Sequence, residues 1–236
     1  MLSRQGDLLR RKIALAIPLI ESRSARFWEH ESLPSLFPEF LLTIHGSVRA
    51  TVPLMNAAVA ELRRASAEDA LRDPLIDYFE QHAREEAEHE EWLIQDLAHL
   101  GIPREHVCAQ VAGPAIARLA GAQYYWIHHG HPVSLLGLFA VLEGHPPTLL
   151  HLDEVQRRTG LPAEAFRMLR QHAELDAVHA DELFRLIDGL PLTAAQASLL
   201  GVSAFHTIDA LGAMFDELIA RRSARDAVDA GVGVRM

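Results

Sequence analysis

The chain has 236 residues, of which 49% are hydrophobic and 23% are charged, and its formal net charge is −10. These values are typical of a folded soluble protein, and the negative charge argues against a nucleic-acid partner. Cys108 is the only cysteine, which excludes an internal disulfide and a cysteine-ligated metal cluster. We interpret Cys108 as a buried structural thiol in a reducing, cytoplasmic compartment.

Apolar residues recur with helical spacing along nearly the whole chain, and alternating strand patterns are lacking. The pattern, divided by proline and glycine, predicts helices over residues 6–28, 36–66, 72–100, 112–129, 133–144, 161–188 and 192–222. We therefore predict one all-α domain of about seven helices over residues 1–222 and a disordered tail over 223–236. No segment approaches the roughly 20 apolar residues of a membrane span, so we expect no membrane association.

The third predicted helix contains the stretch "QHAREEAEHEEW", residues 81–92. His82, Glu86 and His89 are spaced i, i+4 and i+7, which places them on one narrow stripe of a helix. Imidazole and carboxylate groups bind iron, manganese or zinc, although one such stripe also fits an exposed polar face. We expect the remaining acidic residues of this stretch to face solvent: Glu85, Glu88, Glu90 and Glu91.

The fifth predicted helix lies in "HPVSLLGLFAVLEGHPP", residues 131–147. Its residues from Leu135 to Leu142 are apolar apart from Gly137, which indicates a buried helix, and Glu143 follows at its end. A carboxylate at the edge of a buried helix is costly unless it is paired or bound to metal. We predict that Glu143 bridges two metal ions; the alternative is an exposed residue at a helix end.

The sixth predicted helix contains "QHAELDAVHADE", residues 171–182, in which His172, Asp176 and His179 repeat the spacing of the earlier stripe. Two matching stripes are much less expected by chance than one. Together with Glu143, the two stripes offer imidazoles and carboxylates, which suit a pair of redox-active first-row metals better than structural zinc, which prefers a closed shell of four ligands.

These three motif stretches resemble the haem-oxygenase-like diiron oxidases and oxygenases, also called iron-containing redox enzymes, over residues 78–185. The resemblance implies a single haem-oxygenase-like helical bundle. Carried over by position, it implies the metal ligands Glu86, His89, Glu143, His172, Asp176 and His179. Some family members have a glutamate ligand at the position of His82, so His82 is expected to be a supplementary ligand or a neighbour of the ligands.

The resemblance also implies two iron ions as cofactors, with manganese as an alternative, and dioxygen as co-substrate. The implied reaction is C–C cleavage, desaturation or N-oxygenation of a small organic acid or amino-acid-derived substrate in specialised-metabolite biosynthesis. We expect a homodimer, and the chemistry is compatible with an external electron donor. Three residues near the end of the fourth predicted helix are candidates for the substrate pocket: Tyr124, Tyr125 and His128.

A non-enzymatic role, such as metal storage or a helical interaction module, stays open at this stage, and so do two alternatives with other sites. A ferritin-like diiron carboxylate bundle would use Glu61, Glu86 with His89, Glu143, and Asp176 with His179. The extra His172 favours the haem-oxygenase-like arrangement instead. The second alternative is a metal-free enzyme of the same fold, similar to the thiaminases or pyrroloquinoline-quinone synthase. The position of Cys108 outside the motif helices weakens a thiaminase-like reading.

Overall fold

The computed structural model describes residues 4–232, with side chains described up to residue 228. Within this range no strand occurs, which confirms the all-α prediction. Two short 3₁₀ helices lie at Pro132–Ser134 and Ala163–Phe166. The α-helices in this range are α1 (Gln5–Trp28), α2 (Leu33–Arg64), α3 (Arg72–Glu85), α4 (His89–His99), α5 (Arg104–Cys108), α6 (Pro114–His129), α7 (Leu135–Leu142), α8 (Leu149–Thr159), α9 (Arg167–Gly189) and α10 (Ala194–Val232).

Helix α10 is the longest described helix and packs against α1, α2, α6 and α7. By length and hydropathy alone, residues 194–228 could cross a membrane, which the sequence pattern did not lead us to expect. The apolar window of this segment is 56% buried inside the protein. Because its neighbours cover it, α10 has the position of a central core helix.

The predicted third helix, residues 72–100, is interrupted where the sequence places its candidate ligands. Helix α3 ends at Glu85, α4 begins at His89, and residues 86–88 form a turn. The amide of His89 donates to the carbonyl of Glu86, three residues earlier, at 3.2 Å. This tight turn replaces the regular helical bond to the fourth preceding residue, so side chains before and after it point to different parts of the site.

Two further differences concern helix ends. The sequence pattern missed α8, although Thr148 caps it by accepting a bond from the His151 amide at 3.1 Å and Gly160 ends it with φ 66°. Threonine before a helix and glycine after it are recognised end signals. Helix α10 also continues through Val232, where the sequence predicts a disordered tail; residues 233–236 lie outside the described range.

Gly137 lets α7 lie directly on α10. A Cβ atom at this position would stand 2.4 Å from the carbonyl oxygen of Leu200 and 3.0 Å from the amide nitrogen of Ala204. Both neighbours are backbone atoms, which cannot move aside as a flexible side chain can. This contact holds α7, the helix that Glu143 immediately follows, against α10.

We therefore expect Gly137→Ala to lower the free energy of unfolding by about 1–3 kcal/mol, because overpacking forces the backbone of α7 and α10 apart. Chemical denaturation measures the change. The matched control is Gly121→Ala in α6, where an added Cβ would meet no atom within 4 Å. That control should raise stability by about 0.5–1 kcal/mol, since alanine is the better helix former. Equal stability of the two variants would contradict the prediction.

Candidate metal centre

The side chains that the sequence predicts as ligands, and the supplementary candidate His82, come together from three separate segments of the chain. His82 lies on α3, Glu86 lies in the turn after it, and His89 begins α4. Glu143 immediately follows α7, and the other three residues lie on α9. Residues buried to at least nine tenths in this set are His82, His89, Glu143, Asp176 and His179. The structure therefore gathers polar side chains in the interior, where they need partners or metal ions.

One group of potential ligands consists of His82, Glu85 and His179, whose ligand atoms lie within 4.8 Å of one another. Oε2 of Glu85 is 3.6 Å from Nδ1 of His82 and 3.8 Å from Nε2 of His179. Glu143 adjoins this group, with its Oε1 2.9 Å from Nε2 of His82. Burial alone lowers the pKa of His82, but Glu143, together with Glu86 and Glu85, raises it above its ordinary value.

A second group consists of Glu86, His89 and His172, also within 4.8 Å of one another. Nδ1 of His89 lies 2.7 Å from Oε2 of Glu86, and the rings of His89 and His172 are 4.6 Å apart. Burial would raise the pKa of Glu86, but the bond with His89 and the nearby histidines hold that pKa below its ordinary value. Glu86 is therefore a charged carboxylate beside two imidazoles.

The ring of His172 is oriented for ligation. Its Nδ1 lies 3.0 Å from the carbonyl oxygen of Met168, so Nδ1 carries the hydrogen and donates it to that carbonyl. The lone pair then resides on Nε2, which is how backbone carbonyls commonly fix metal-binding histidines. Burial lowers the pKa of His172, which favours the neutral ring that a metal requires.

Several buried polar atoms of this site have no hydrogen-bond partner among the described residues: Oε2 of Glu143, Oδ1 of Asp176 and Nδ1 of His179. Burial, together with the charges of Glu143 and Glu86, raises the pKa of Asp176 to about 8. Without a cation, Asp176 therefore holds a proton at neutral pH, because a third carboxylate charge is too costly there. These unpaired atoms and crowded carboxylates fit a site built for metal cations.

Asp96 fixes the start of α9 relative to α4. Its Oδ2 accepts a 2.8 Å bond from the Met168 amide, and its Oδ1 lies 3.5 Å from Nε of Arg167. Burial raises the pKa of Asp96 to about 6 despite these two favourable contacts. Because α4 begins with His89 and α9 carries His172, this link helps to set the relative position of these two side chains.

Glu85 is exposed, as the sequence predicts, but its carboxylate faces His82 and His179, which the sequence did not indicate. Glu85 lies three residues after His82 on the same helix, and the turn at residues 86–88 separates it from His89. Of the other acidic residues assigned to solvent, Glu88 is exposed, Glu91 pairs with Arg104, and Glu90 pairs with the buried His45.

A cavity of about 190 Å³ opens beside this centre. Its polar wall includes four of the predicted ligands, Glu86, Glu143, His172 and Asp176, together with His145. Most of the remaining wall is apolar: Ile44, Val48, Ile116, Phe139, Leu142, Met168, Leu169, Leu211 and Met214. Among the described residues that line it, there is no arginine or lysine. The cavity therefore offers an apolar surface that ends at the candidate metal ligands.

Residues that the sequence proposed for the substrate pocket lie elsewhere. Tyr124 stacks on His128, whose Nδ1 is 3.0 Å from Oε1 of Glu61, and Tyr125 is 63% exposed. None of the three tyrosine and histidine candidates lines the cavity beside the ligands. They occupy the end of α6, whereas the cavity meets this helix near its beginning, at Ile116.

Two residues that bear on the alternative functions also lie outside the site. Glu61, a ligand in the ferritin-like alternative, pairs with Arg64 at 2.8 Å and with His128. It belongs to neither potential metal group found among the described residues. Cys108 is exposed at the end of α5, so its interpretation as a buried thiol is wrong. It does not line the cavity.

The sequence of residues 39–228 matches the profile of the family described as iron-containing redox enzymes. The chain belongs to this family. The match spans both potential metal groups, and it confirms the resemblance drawn from the three motif stretches. No curated protein sequence matches the chain.

Solved structures confirm the fold. A domain of unknown function with a heme oxygenase-like fold from Shewanella denitrificans OS217 is similar with a TM-score of 0.75 and 17% identity, covering 96% of each chain. A TenA homologue from Pseudomonas syringae pv. tomato str. DC3000 is similar with a TM-score of 0.64 and 14% identity, covering 88% of this chain and 92% of that chain. A TenA homologue from P. horikoshii OT3 has a TM-score of 0.57 and 14% identity, covering 92% and 98%.

Proposed function

We propose that this protein is a non-haem diiron oxidoreductase that uses dioxygen to oxidise a small organic substrate. The observation that carries the proposal is the pair of potential metal groups in the interior, with Glu143 and Asp176 beside them. Each group offers two imidazoles and one carboxylate, a donor set suited to redox-active first-row metals. Family membership supports iron as the metal.

The two groups suggest a division of ligands between the metals. We assign His82, Glu85 and His179 to one metal and Glu86, His89 and His172 to the other. Glu143 and Asp176 would then complete the ligand shells of both metals, since their unpaired oxygens are buried at the same site. This assignment makes His82 a ligand and adds Glu85 to the set that the family resemblance implies.

Two ferrous ions at this site would supply the electrons with which dioxygen is reduced while the substrate is oxidised. The chain itself holds the ligands on α3, α4 and α9, in the turn between α3 and α4, and just after α7, and the bond between His172 and Met168 sets the tautomer of that imidazole. The apolar wall formed by Phe139, Leu211 and Met214, with other residues, excludes water from the bound substrate.

The cavity also limits the substrate. A cavity of about 190 Å³ exceeds the engineered cavity of roughly 150 Å³ that holds benzene. An acidic substrate would find no arginine or lysine among the described lining residues. We therefore propose a small substrate whose non-reacting part is apolar, with any acid or amine group lying toward Glu86, His172 and Asp176.

The proposal predicts that protein reconstituted anaerobically with ferrous iron holds two equivalents, because two ligand groups are present. Exposure to oxygen should then produce a transient visible absorption, since dioxygen reacts with the bound iron. Metal analysis after gel filtration and stopped-flow absorption measure the two results. A zinc-reconstituted sample is the control and should show no absorption change, because zinc has no redox chemistry.

Different results would identify different functions. Saturation at one metal, or zinc binding without oxygen reactivity of the iron form, would contradict the diiron proposal. Steady oxidation of iron without effect of any substrate would indicate metal storage. If the protein binds no metal, the remaining alternative is a metal-free enzyme of the same fold. The structural similarity to TenA homologues is the reason for considering it.

A further inference from the structure

A second cavity, of about 560 Å³, lies on the opposite side of α2 from the cavity beside the metal ligands. Ile44 and Val48 of α2 line the first cavity, whereas His45 and Arg49 line the second. The other walls come from the segment between α5 and α6 and from the C-terminal part of α10. None of the candidate metal ligands lines this cavity, so the proposed diiron chemistry does not account for it.

The second cavity is rich in positive charge within an acidic protein. Arg49, Arg221 and Arg225 line it, whereas Glu39 is the single carboxylate among its described lining residues. The chain as a whole carries a formal net charge of −10. Three guanidinium groups therefore face one concave space, although two carboxylates that do not line it, Glu217 and Glu90, lie near Arg221 and Arg49.

Protein groups provide hydrogen-bond or ion-pair partners for only some of the N–H groups of these three arginines. Arg225 pairs with Glu39, and Arg221 reaches Glu217 at 3.3 Å. Arg49 makes a long 3.4 Å contact with the carbonyl oxygen of Cys108 and lies 4.0 Å from Glu90. A guanidinium has five N–H donors, so Arg49 and Arg221 retain donors that a ligand in the cavity can use.

Two further features shape this cavity. A Cβ atom at Gly113 would stand 2.4 Å from Nη2 of Arg221, so glycine at this position leaves room for the guanidinium. His45 is 2% exposed, and its Nε2 lies 3.1 Å from Oε1 of Glu90, which fixes its ring in the wall. His106 and Gln110 add polar groups from the segment before α6.

We propose that this cavity is a second binding site, which takes a small molecule carrying a carboxylate or phosphate group. The planar fork of arginine matches the paired oxygens of these groups and binds them through charge-assisted hydrogen bonds. Arg49 approaches from α2 and Arg221 from α10, so the anionic group is held between two helices. This inference goes beyond the proposed oxidation, because the site is separate from the metal centre.

Isothermal titration of the full-length protein with inorganic phosphate, and separately with succinate, tests the proposal. We expect binding of one equivalent of at least one anion at low millimolar concentration. Arg49→Gln and Arg221→Gln should each weaken binding about tenfold or more, because each removes charge-assisted bonds. These side chains are 55% and 44% exposed, so the substitutions leave the core intact. Binding of phosphate alone would identify a phosphorylated ligand, and binding of succinate alone a carboxylate.

The matched control is Arg63→Gln, which removes an arginine of α2 that pairs with Glu80 away from the cavity. Its affinity for either anion should equal that of the wild type. Gly113→Ala is a second probe, since the added Cβ displaces Arg221 without removing a charge, and it should also weaken binding. No binding of either anion, unchanged binding in both cavity-arginine variants, or equal loss in the control would overturn the proposal.

Discussion

Replacing Glu143 with alanine should deplete both metals, the largest effect that we expect from a single substitution. Glu143 is 7% exposed, its Oε1 lies 2.9 Å from Nε2 of His82, and its Oε2 has no hydrogen-bond partner among the described residues. As the proposed bridge it contributes to both metals, so affinity should fall by more than the roughly 100-fold that is the upper end for partners of ligands. Iron content after anaerobic reconstitution and gel filtration measures the loss.

Two further variants separate metal binding from folding. Glu143→Gln keeps the shape of the side chain but removes its charge, so it should retain helicity and still bind iron weakly. Glu88→Ala is the matched control, because Glu88 is an exposed carboxylate in the turn beside the site. The Glu88→Ala variant should bind two equivalents of iron. If the Glu143→Ala variant also binds two equivalents of iron and turns over normally, the bridging assignment is wrong.

Replacing His172 with alanine should remove one metal and the oxygen-dependent absorption. His172 belongs to the group with Glu86 and His89, and its bond to the Met168 carbonyl leaves Nε2 as the donor atom. Loss of one of three donors should weaken that site more than about 100-fold, while the group around His179 keeps its own donors. Metal analysis should therefore show one equivalent instead of two.

Glu61→Ala is the discriminating control for His172. In a ferritin-like ligand set Glu61 binds metal, but in this structure it pairs with Arg64 and His128. Its removal should therefore leave two equivalents of iron and the oxygen reaction unchanged. The reverse pattern, with metal lost from Glu61→Ala and retained by His172→Ala, would contradict the assignment of ligands made from the structure.

The sequence predicted the features that depend on spacing along one chain segment. Helical periodicity indicated the all-α fold, and the apolar run before Glu143 indicated that this carboxylate is buried. His172, Asp176 and His179 lie on the uninterrupted helix α9, where their spacing fixes their common direction. These expectations needed no knowledge of the neighbouring helices.

Other features depend on contacts between segments that are distant in sequence. The turn at residues 86–88 has no proline or glycine to mark it, so the periodic pattern predicted one continuous helix. Glu85 lies one helical turn after His82 on α3, and the approach of α9 brings His179 to it. The cavity beside the metal ligands is likewise formed by side chains of several helices. The composition of one segment cannot show which helices meet there, so Tyr124 was a candidate although it lies outside this cavity.

The sequence by itself therefore determined the helical class, the donor types and their spacing within each motif, because the geometry of a helix converts spacing directly into direction. Only the tertiary structure decided which donors from different helices meet, how they divide into two groups, and which side chains line the two cavities. The physical reason is that relative helix positions result from packing over the whole core. The contact of Gly137 with Leu200 and the bond from Met168 to Asp96 are two examples.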